Sequence, residues 1–375
     1  MQWRPVLLTV LLFYASGPSG VHATLLSAAP SERLGTTGPL VVVHISDLHL
    51  SSVDAPAAAR ATELLKLGNV LGEHVKPHVL LISGDCTDAK YRRDLKNLTD
   101  VELGGSGQRR EEWSSYQTVI TKLRSNPNLR ETLVLDVPGN HDRWNVLHRY
   151  HEADMFSNVS FTLSALPQTK DRIKRVHSFD ISRGVDCFRF IALDLSPETG
   201  IRRPANFFGL ATSATLRELE EALAQPCAKD NTVSMRQIVF GHYPLAFVAA
   251  GSGAKVRRLL LKYNATAYLS GHLHILFGER VWRSHYRGNN EGEGLREMLV
   301  PDWKESRGFR VLTLHSSEVL ANRSGKHVSL SSVDVRFPSF KPFQPKHTFG
   351  TFVADFLKGQ LGELRNSLGH FFCFG

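Results

Sequence analysis

Five short clusters hold the side chains with chemical potential: Asp47-Leu48-His49, Gly84-Asp85-Cys86-Thr87-Asp88, Gly139-Asn140-His141-Asp142, Gly241-His242 and Gly271-His272-Leu273-His274. Between them they offer carboxylates at Asp47 and Asp85, an amide at Asn140, and imidazoles at His49, His242, His272 and His274. That donor mix suits two divalent transition metal ions, with manganese, iron and zinc all compatible. Two Asp ligands against two divalent cations leave a net positive centre, which favours an anionic phosphoester over a neutral substrate. Paired cations about 3.5–4 Å apart lower the pKa of a bridging water and neutralise the non-bridging oxygens, so that a metal-bridging hydroxide can attack phosphorus in line.

Each cluster alone says little. An isolated His-x-His or Asp-x-His is usually incidental, and Gly-Asp after a strand is often a turn. All five in one chain, each ending an apolar run, make coincidence a poor explanation. His272 and His274 would point to the same side on a straight strand. On a turn they splay toward two different metals, and Gly271 is expected to permit the tight bend.

The apolar runs before the clusters, at 41–45, 79–82, 133–137, 237–240 and 267–269, read as strands. Strands that each end in a ligand type place the clusters at one edge of a sheet, beyond its carboxyl ends. A first helix is expected to start near Asp54, with Pro56 in its first turn and Leu64, Leu67, Val70 and Leu71 on one face. A second holds Trp113, Tyr116, Ile120 and Leu123. Residues 188–193 read as a strand with 178–181 as an antiparallel partner, and Ser213 as the cap of a helix burying Leu216, Leu219 and Leu223. A helix over 254–263 and strands near 297–300 and 309–314 follow. This alternation suggests two packed sheets with helices outside.

The 375 residues, 42% hydrophobic and 22% charged, describe a globular chain and exclude a disordered one. A net charge of +9 favours anionic substrates or membrane head groups. The basic pairs are scattered with no long tract, so no nucleic-acid partner is expected.

Residues 1–23 read as a signal peptide, with Arg4, an apolar stretch over 6–15 and a Val21-His22-Ala23 cleavage site; an uncleaved anchor is the alternative. A linker over 24–39, a catalytic body over 40–314 and a tail over 315–375 complete the division. In the tail, Phe349, Phe352, Val353, Phe356, Leu361, Leu364 and Leu368 share a helical face that docks on the body or, helped by Lys358 and Arg365, on a membrane surface.

Glycosylation triplets begin at Asn97, Asn158, Asn264 and Asn322. The four cysteines, Cys86, Cys187, Cys227 and Cys373, form no C-x-x-C pair. Cys187 and Cys227 could join in an oxidising compartment, among three connectivities, and Cys86 reads as buried packing.

At the five clusters the chain resembles the calcineurin-like metallophosphoesterase superfamily, whose frame is D-x-H, G-D-x-x-D, G-N-H-D/E, G-H and G-H-x-H. The match covers roughly Leu40 to Leu314. The resemblance implies an α/β fold, the four-layer αββα sandwich of metallo-dependent phosphatases. It assigns Asp47, His49, Asp85 and His274 to one metal, and Asp85, Asn140, His242 and His272 to the other, with Asp85 bridging. His141 would contact substrate, stabilise the transition state and protonate the leaving oxygen. Asp88 matches the acid that orients this histidine.

Residues 84–90, 112–113, 116–117, 203–209 and 302–304 are similar to segments of the transmembrane protein 62-like branch. Its members continue into a β-sandwich and membrane helices, which brings membrane association and the secretory pathway into view. Purple acid phosphatases place Tyr where this chain has Asp88, so a tyrosinate–ferric centre is not expected. Phosphoprotein phosphatases place Arg at Ala89, so protein-serine/threonine phosphatase activity is not expected either. Arg143, Arg202 and Arg203 are candidates to replace that phosphate clamp, against a structural role for each.

The expectation is a metal-dependent phosphoric ester hydrolase acting on a monoester or diester. The alternatives are a non-catalytic binding or scaffold protein that kept the fold, and a membrane-associated component of the secretory pathway.

Overall fold

In a parallel sheet covered on both faces every strand residue is buried, which demands continuous apolar runs rather than alternation. The runs of this chain form such strands in a computed structural model that describes residues 39–52, 55–89, 108–144, 146–167, 173–197, 205–227, 234–249, 251–274, 295–315 and 330–336. In chain order the first half comprises β1 (Leu40–Ile45), α1 (Ala55–Val70), β2 (Val79–Ser83), α2 (Arg110–Arg124), β3 (Leu133–Val137), the single turns α3 (Phe156–Val159) and α4 (Phe161–Ser164), β4 (Val176–Arg183) and β5 (Asp186–Leu193). The second half comprises α5 (Ser213–Ala224), β6 (Ser234–Phe240), α6 (Ser252–Lys262), β7 (Ala267–Ser270), β8 (Arg296–Leu299), the turn α7 (Trp303–Ser306), β9 (Gly308–Leu314) and β10 (Leu330–Arg336).

The strands build two five-stranded sheets, ordered β10-β9-β1-β2-β3 and β4-β5-β6-β7-β8. β1, β2 and β3 run parallel, while β9 is antiparallel to β1 and β10 to β9. In the second sheet β5 to β8 run parallel and β4 pairs antiparallel with β5.

Side chains alternate across a strand, and here both faces find partners. Leu40 and Val42 of β1, Leu81 of β2, Phe190 of β5, Phe240 of β6 and Leu269 of β7 form the layer between the sheets. Val43 and Ile45 turn outward onto Leu64, Leu67, Trp113, Tyr116 and Ile120 of α1 and α2. Ile191, Val239 and Tyr268 pack on Leu219, Leu223, Val256 and Leu260 of α5 and α6. The result is the αββα sandwich, with helices on both outer faces.

Three details differ from the sequence reading. The five clusters do not share one sheet: three follow β1, β2 and β3, and two follow β6 and β7 of the other sheet. The cap of α5 is Thr212, whose hydroxyl accepts from the Thr215 amide at 3.1 Å, and Ser213 is the first helical residue. Beyond Leu314 the first sheet takes one more strand, β10.

Cys187 and Cys227 form a disulfide, and Cys86 is a buried free thiol. Asn158 and Asn264 are exposed. The signal segment, the tail helix, Asn97, Asn322, Cys373, Arg202 and Arg203 lie outside the described residues.

Candidate metal centre

The carboxyl ends of β1, β2, β3, β6 and β7 converge, and backbone hydrogen bonds tie the first of the following loops to the second and the fourth to the fifth. Asp47 N donates to Gly84 O at 3.0 Å, His49 N to Asp85 O at 2.9 Å, and Gly271 N to His242 O at 3.0 Å. Asp142 is the chief tie between the second and third loops. Its buried carboxylate accepts from the amides of Gly139 (2.8 Å), Thr87 (3.0 Å) and Cys86 (3.1 Å). The sequence carried no signal for this role beyond Asp142 lying beside His141.

The loops are also tight enough to dictate their glycines. A Cβ on Gly139 would collide with the Asp85 side chain and amide, and one on Gly271 would collide with Ser46 Oγ. Gly271 is therefore required by close approach. The expected bend lies instead at the histidines, with φ +78° at His272 and +50° at His274. Asp47 (+56°), His49 (+45°) and Asp85 (+51°) also occupy the left-handed region, where the chain leaves each strand sharply enough to turn its side chain inward.

Two donor clusters result, with Asp85 between them. In the first, His49 Nε2 lies 3.0 Å from His274 Nε2 and 3.4 Å from Asp85 Oδ2, and His274 Nε2 lies 3.1 Å from Asp47 Oδ1. In the second, His242 Nε2 lies 3.0 Å from Asn140 Oδ1, 3.1 Å from His272 Nδ1 and 3.5 Å from Asp85 Oδ1. Asn140 Oδ1 is also 3.1 Å from His272 Nδ1. His272 and His274 thus diverge to different clusters. All seven donors expected from the sequence are brought together.

The tautomers follow from the outer nitrogens. His242 Nδ1 faces Ser83 O at 2.8 Å, and a carbonyl only accepts, so Nδ1 carries the proton and Nε2 presents a lone pair. His49 Nδ1 faces Asp88 Oδ1 at 2.8 Å, which leaves its Nε2 as a lone pair too. Lone pairs and carboxylate oxygens facing one another at about 3 Å repel unless a proton or cation lies between them. Oxygen and imidazole donors so arranged fit divalent transition metals.

Charge tells the same story. Burial, then Asp47 and Asp142, push the Asp85 carboxyl well above its ordinary range, as for an anion short of positive charge. Burial would raise Asp47 as well, but His274 and its neighbours hold that carboxyl low.

His141 sits at the edge of both clusters, with Nε2 3.9 Å from Asp85 Oδ2 and the indole of Trp144 against its ring at 3.6 Å between centroids. Its Nδ1 donates to the main-chain carbonyl of Asp88 at 2.6 Å. Asp88 Oδ1 accepts from His49 Nδ1 at 2.8 Å and is 3.8 Å from His141 Nδ1. The sequence reading paired that carboxylate with His141; here the same residue orients His141 through its backbone and His49 through its side chain. Burial, His49 and Lys304 lower the His141 pKa well below the usual imidazole value, outweighing Asp88.

Arg143 is not aimed at the site. It is buried on Asp154, and its Nη2 is 3.6 Å from Asp194. Lys304, which sequence reasoning did not single out for the site, places Nζ 3.4 Å from Asp88 Oδ1 and 3.5 Å from His49 Nδ1. Elsewhere among the described residues Asp180 lies close to Cys187 and Cys227, but those two sulfurs are joined in the disulfide.

The sequence profile of the calcineurin-like phosphoesterase family matches residues 40–276, and the chain belongs to that family. Among curated proteins it is 30% identical over 251 residues to an Arabidopsis thaliana protein named as a metallophosphoesterase, covering 66% of this chain and 31% of that protein. It is 31% identical over 271 residues to Transmembrane protein 62 of Mus musculus, covering 72% of this chain and 36% of that protein. The chain therefore spans about a third of the length of these relatives. Two solved structures overlap it weakly. Purple acid phosphatase PPD1 from yellow lupin (Lupinus luteus) has a TM-score of 0.37 at 16% identity, over 64% of this chain and 38% of that one. The protein TT1561 of Thermus thermophilus has a TM-score of 0.38 at 11% identity, over 79% of this chain and 99% of that one. Among the described residues no helix is long and apolar enough to cross a membrane.

Proposed function

We propose that this chain is a metal-dependent phosphoric ester hydrolase with a binuclear centre. Asp47, His49, Asp85 and His274 would hold one divalent cation, and Asp85, Asn140, His242 and His272 the other. The observation that carries the reading is the pair of inward-facing donor sets that share Asp85. When bound, the two cations supply an activated water and neutralise the phosphoryl oxygens.

The protein's own groups do the rest. Asp88 and Ser83 fix the tautomers of His49 and His242, so that each offers Nε2. The Asp88 carbonyl holds the His141 Nδ1 proton and leaves Nε2 as the atom that takes up a proton and passes it to the departing oxygen. A low resting pKa suits that task only once an anionic phosphoester is in place, because the incoming negative charge raises it. Trp144 lies against the His141 ring at 3.6 Å and His49 meets it edge-on at 4.5 Å between centroids, which holds the imidazole in place.

The test is turnover of an aryl phosphate by purified protein, with and without chelator. His141→Ala should keep its metal and lose turnover by about 10²–10⁴-fold. Full activity in that variant, or turnover indifferent to chelator, contradicts the reading. A secretory-pathway location is part of the proposal, supported by the Cys187–Cys227 disulfide, which persists in oxidising compartments.

A further inference from the structure

We propose that Lys304 is the phosphate-binding cation of the site, its ammonium holding a non-bridging oxygen of the phosphoryl group beside His141. This rests on the phosphoesterase reading above and adds to it the residue that fixes the substrate's anionic end.

The lysine is delivered by a rigid turn. Its amide donates to Asp47 O at 3.0 Å, and that of Trp303 to Ser46 O at 3.0 Å, so α7 is pinned directly on the Asp47–His49 loop. Trp303 is fully buried in the core beneath, with its indole N–H 3.4 Å from Arg60 O. Asp302 caps the turn at the Glu305 amide, 2.5 Å away. Arg307, at φ +49°, closes it through Glu63 at 2.5 Å and Trp303 O at 2.8 Å. Only the outer side chain of Lys304 is left to adjust.

Three features make that side chain more than a counter-ion to Asp88. The contact with Asp88 Oδ1, at 3.4 Å, is longer than an ordinary hydrogen bond, and that oxygen already takes His49 Nδ1 at 2.8 Å. His49 Nδ1 is itself the donor in that bond, so it accepts nothing from Lys304 at 3.5 Å. An ammonium has three N–H donors, and a charged oxygen outcompetes one long contact. Exposure then picks the direction. The Asp88 side chain is sealed at 0%, whereas Lys304 keeps 16% and His141 keeps 14%. Lys304 Nζ and His141 Nδ1 approach the same Asp88 oxygen, at 3.4 and 3.8 Å, so the two partly open side chains are neighbours across it. Arg143, the described arginine nearest in sequence to the metal donors, is bound to Asp154 and Asp194.

The experiment is calorimetric binding of inorganic phosphate to manganese-loaded wild type, Lys304→Met and Lys304→Arg, with metal content measured on each. Lys304→Met should bind phosphate roughly 10- to 100-fold more weakly at unchanged metal content, and Lys304→Arg should retain most of the affinity. Lys304→Gln takes the place of Lys304→Met if that variant does not fold. Unchanged phosphate affinity in the neutral variant overturns the proposal. So does a parallel loss of metal, which would make Lys304 a support for His49, and so does metal-loaded wild type that takes up no phosphate. Wild type that takes up no metal and shows no chelator-sensitive turnover instead overturns the reading on which the proposal rests.

Discussion

Asp47, His49, Asp85, His272 and His274 all adopt positive φ. A left-handed residue costs on the order of 1–2 kcal/mol, and Asp and His are among the side chains that tolerate it best. Five such residues around one point mark a place where the backbone is bent to aim side chains rather than to pack them. The chemical types of the candidate donors were legible in the sequence, because only certain residue types can bind a cation. The backbone angles were not, since Gly271 looked like the hinge and proved to be a close-approach glycine. The duty of Asp88 was also hidden: two histidines lie within reach of it, and only the fold decides which one its carboxylate meets. It meets His49, so Asp88→Ala should weaken metal affinity by roughly 10- to 100-fold, read by competition with a chromogenic chelator. An unchanged affinity with altered pH–rate behaviour alone would instead return Asp88 to His141.

At the scale of elements, the strand ends do the positioning and the strands themselves supply the anchorage. β1 shows how. Val43 and Ile45 face the helices, Leu40 and Val42 face the other sheet, and His44 turns inward just before the loop that carries Asp47. The His44 ring is fully buried, with Nε2 2.7 Å from Ser83 Oγ, and burial, then Arg310, lowers its pKa to about 3. Its neutral form is the one that folds. Above about pH 6.5 neither state is protonated and folding loses nothing. As pH falls toward 3 the unfolded chain takes up a proton that the native state refuses, so stability declines, by up to about 5 kcal/mol for this group. Thermal melts between pH 7 and 4 should therefore fall less steeply for His44→Gln than for wild type; equal slopes would contradict the assignment. The helix faces of α1, α2 and α5 were readable from their 3.6-residue spacing. The cap at Thr212 was not, because Thr212 and Ser213 are both good cap types and adjacent.

Across the whole molecule, the αββα architecture explains why the donors are so far apart in sequence. Asp47, His49, Asp85 and Asn140 come from the first sheet, and His242, His272 and His274 from the second. Local patterning revealed strands and their ends but not that two sheets meet there, because a run such as 237–240 reads the same in either sheet. That allocation is a property of long-range packing. On the proposed reading the site is also a cross-link: cations held by both sheets would bind only the docked arrangement and should stabilise it.

The most direct measurement is the metal content of the purified, folded chain by elemental analysis, compared with Asp85→Ala. The account predicts two transition metal ions per chain in the wild type and a loss of both in the variant, since Asp85 stands between the clusters. Folded wild-type protein that binds one ion or none when supplied with manganese, iron and zinc would contradict it.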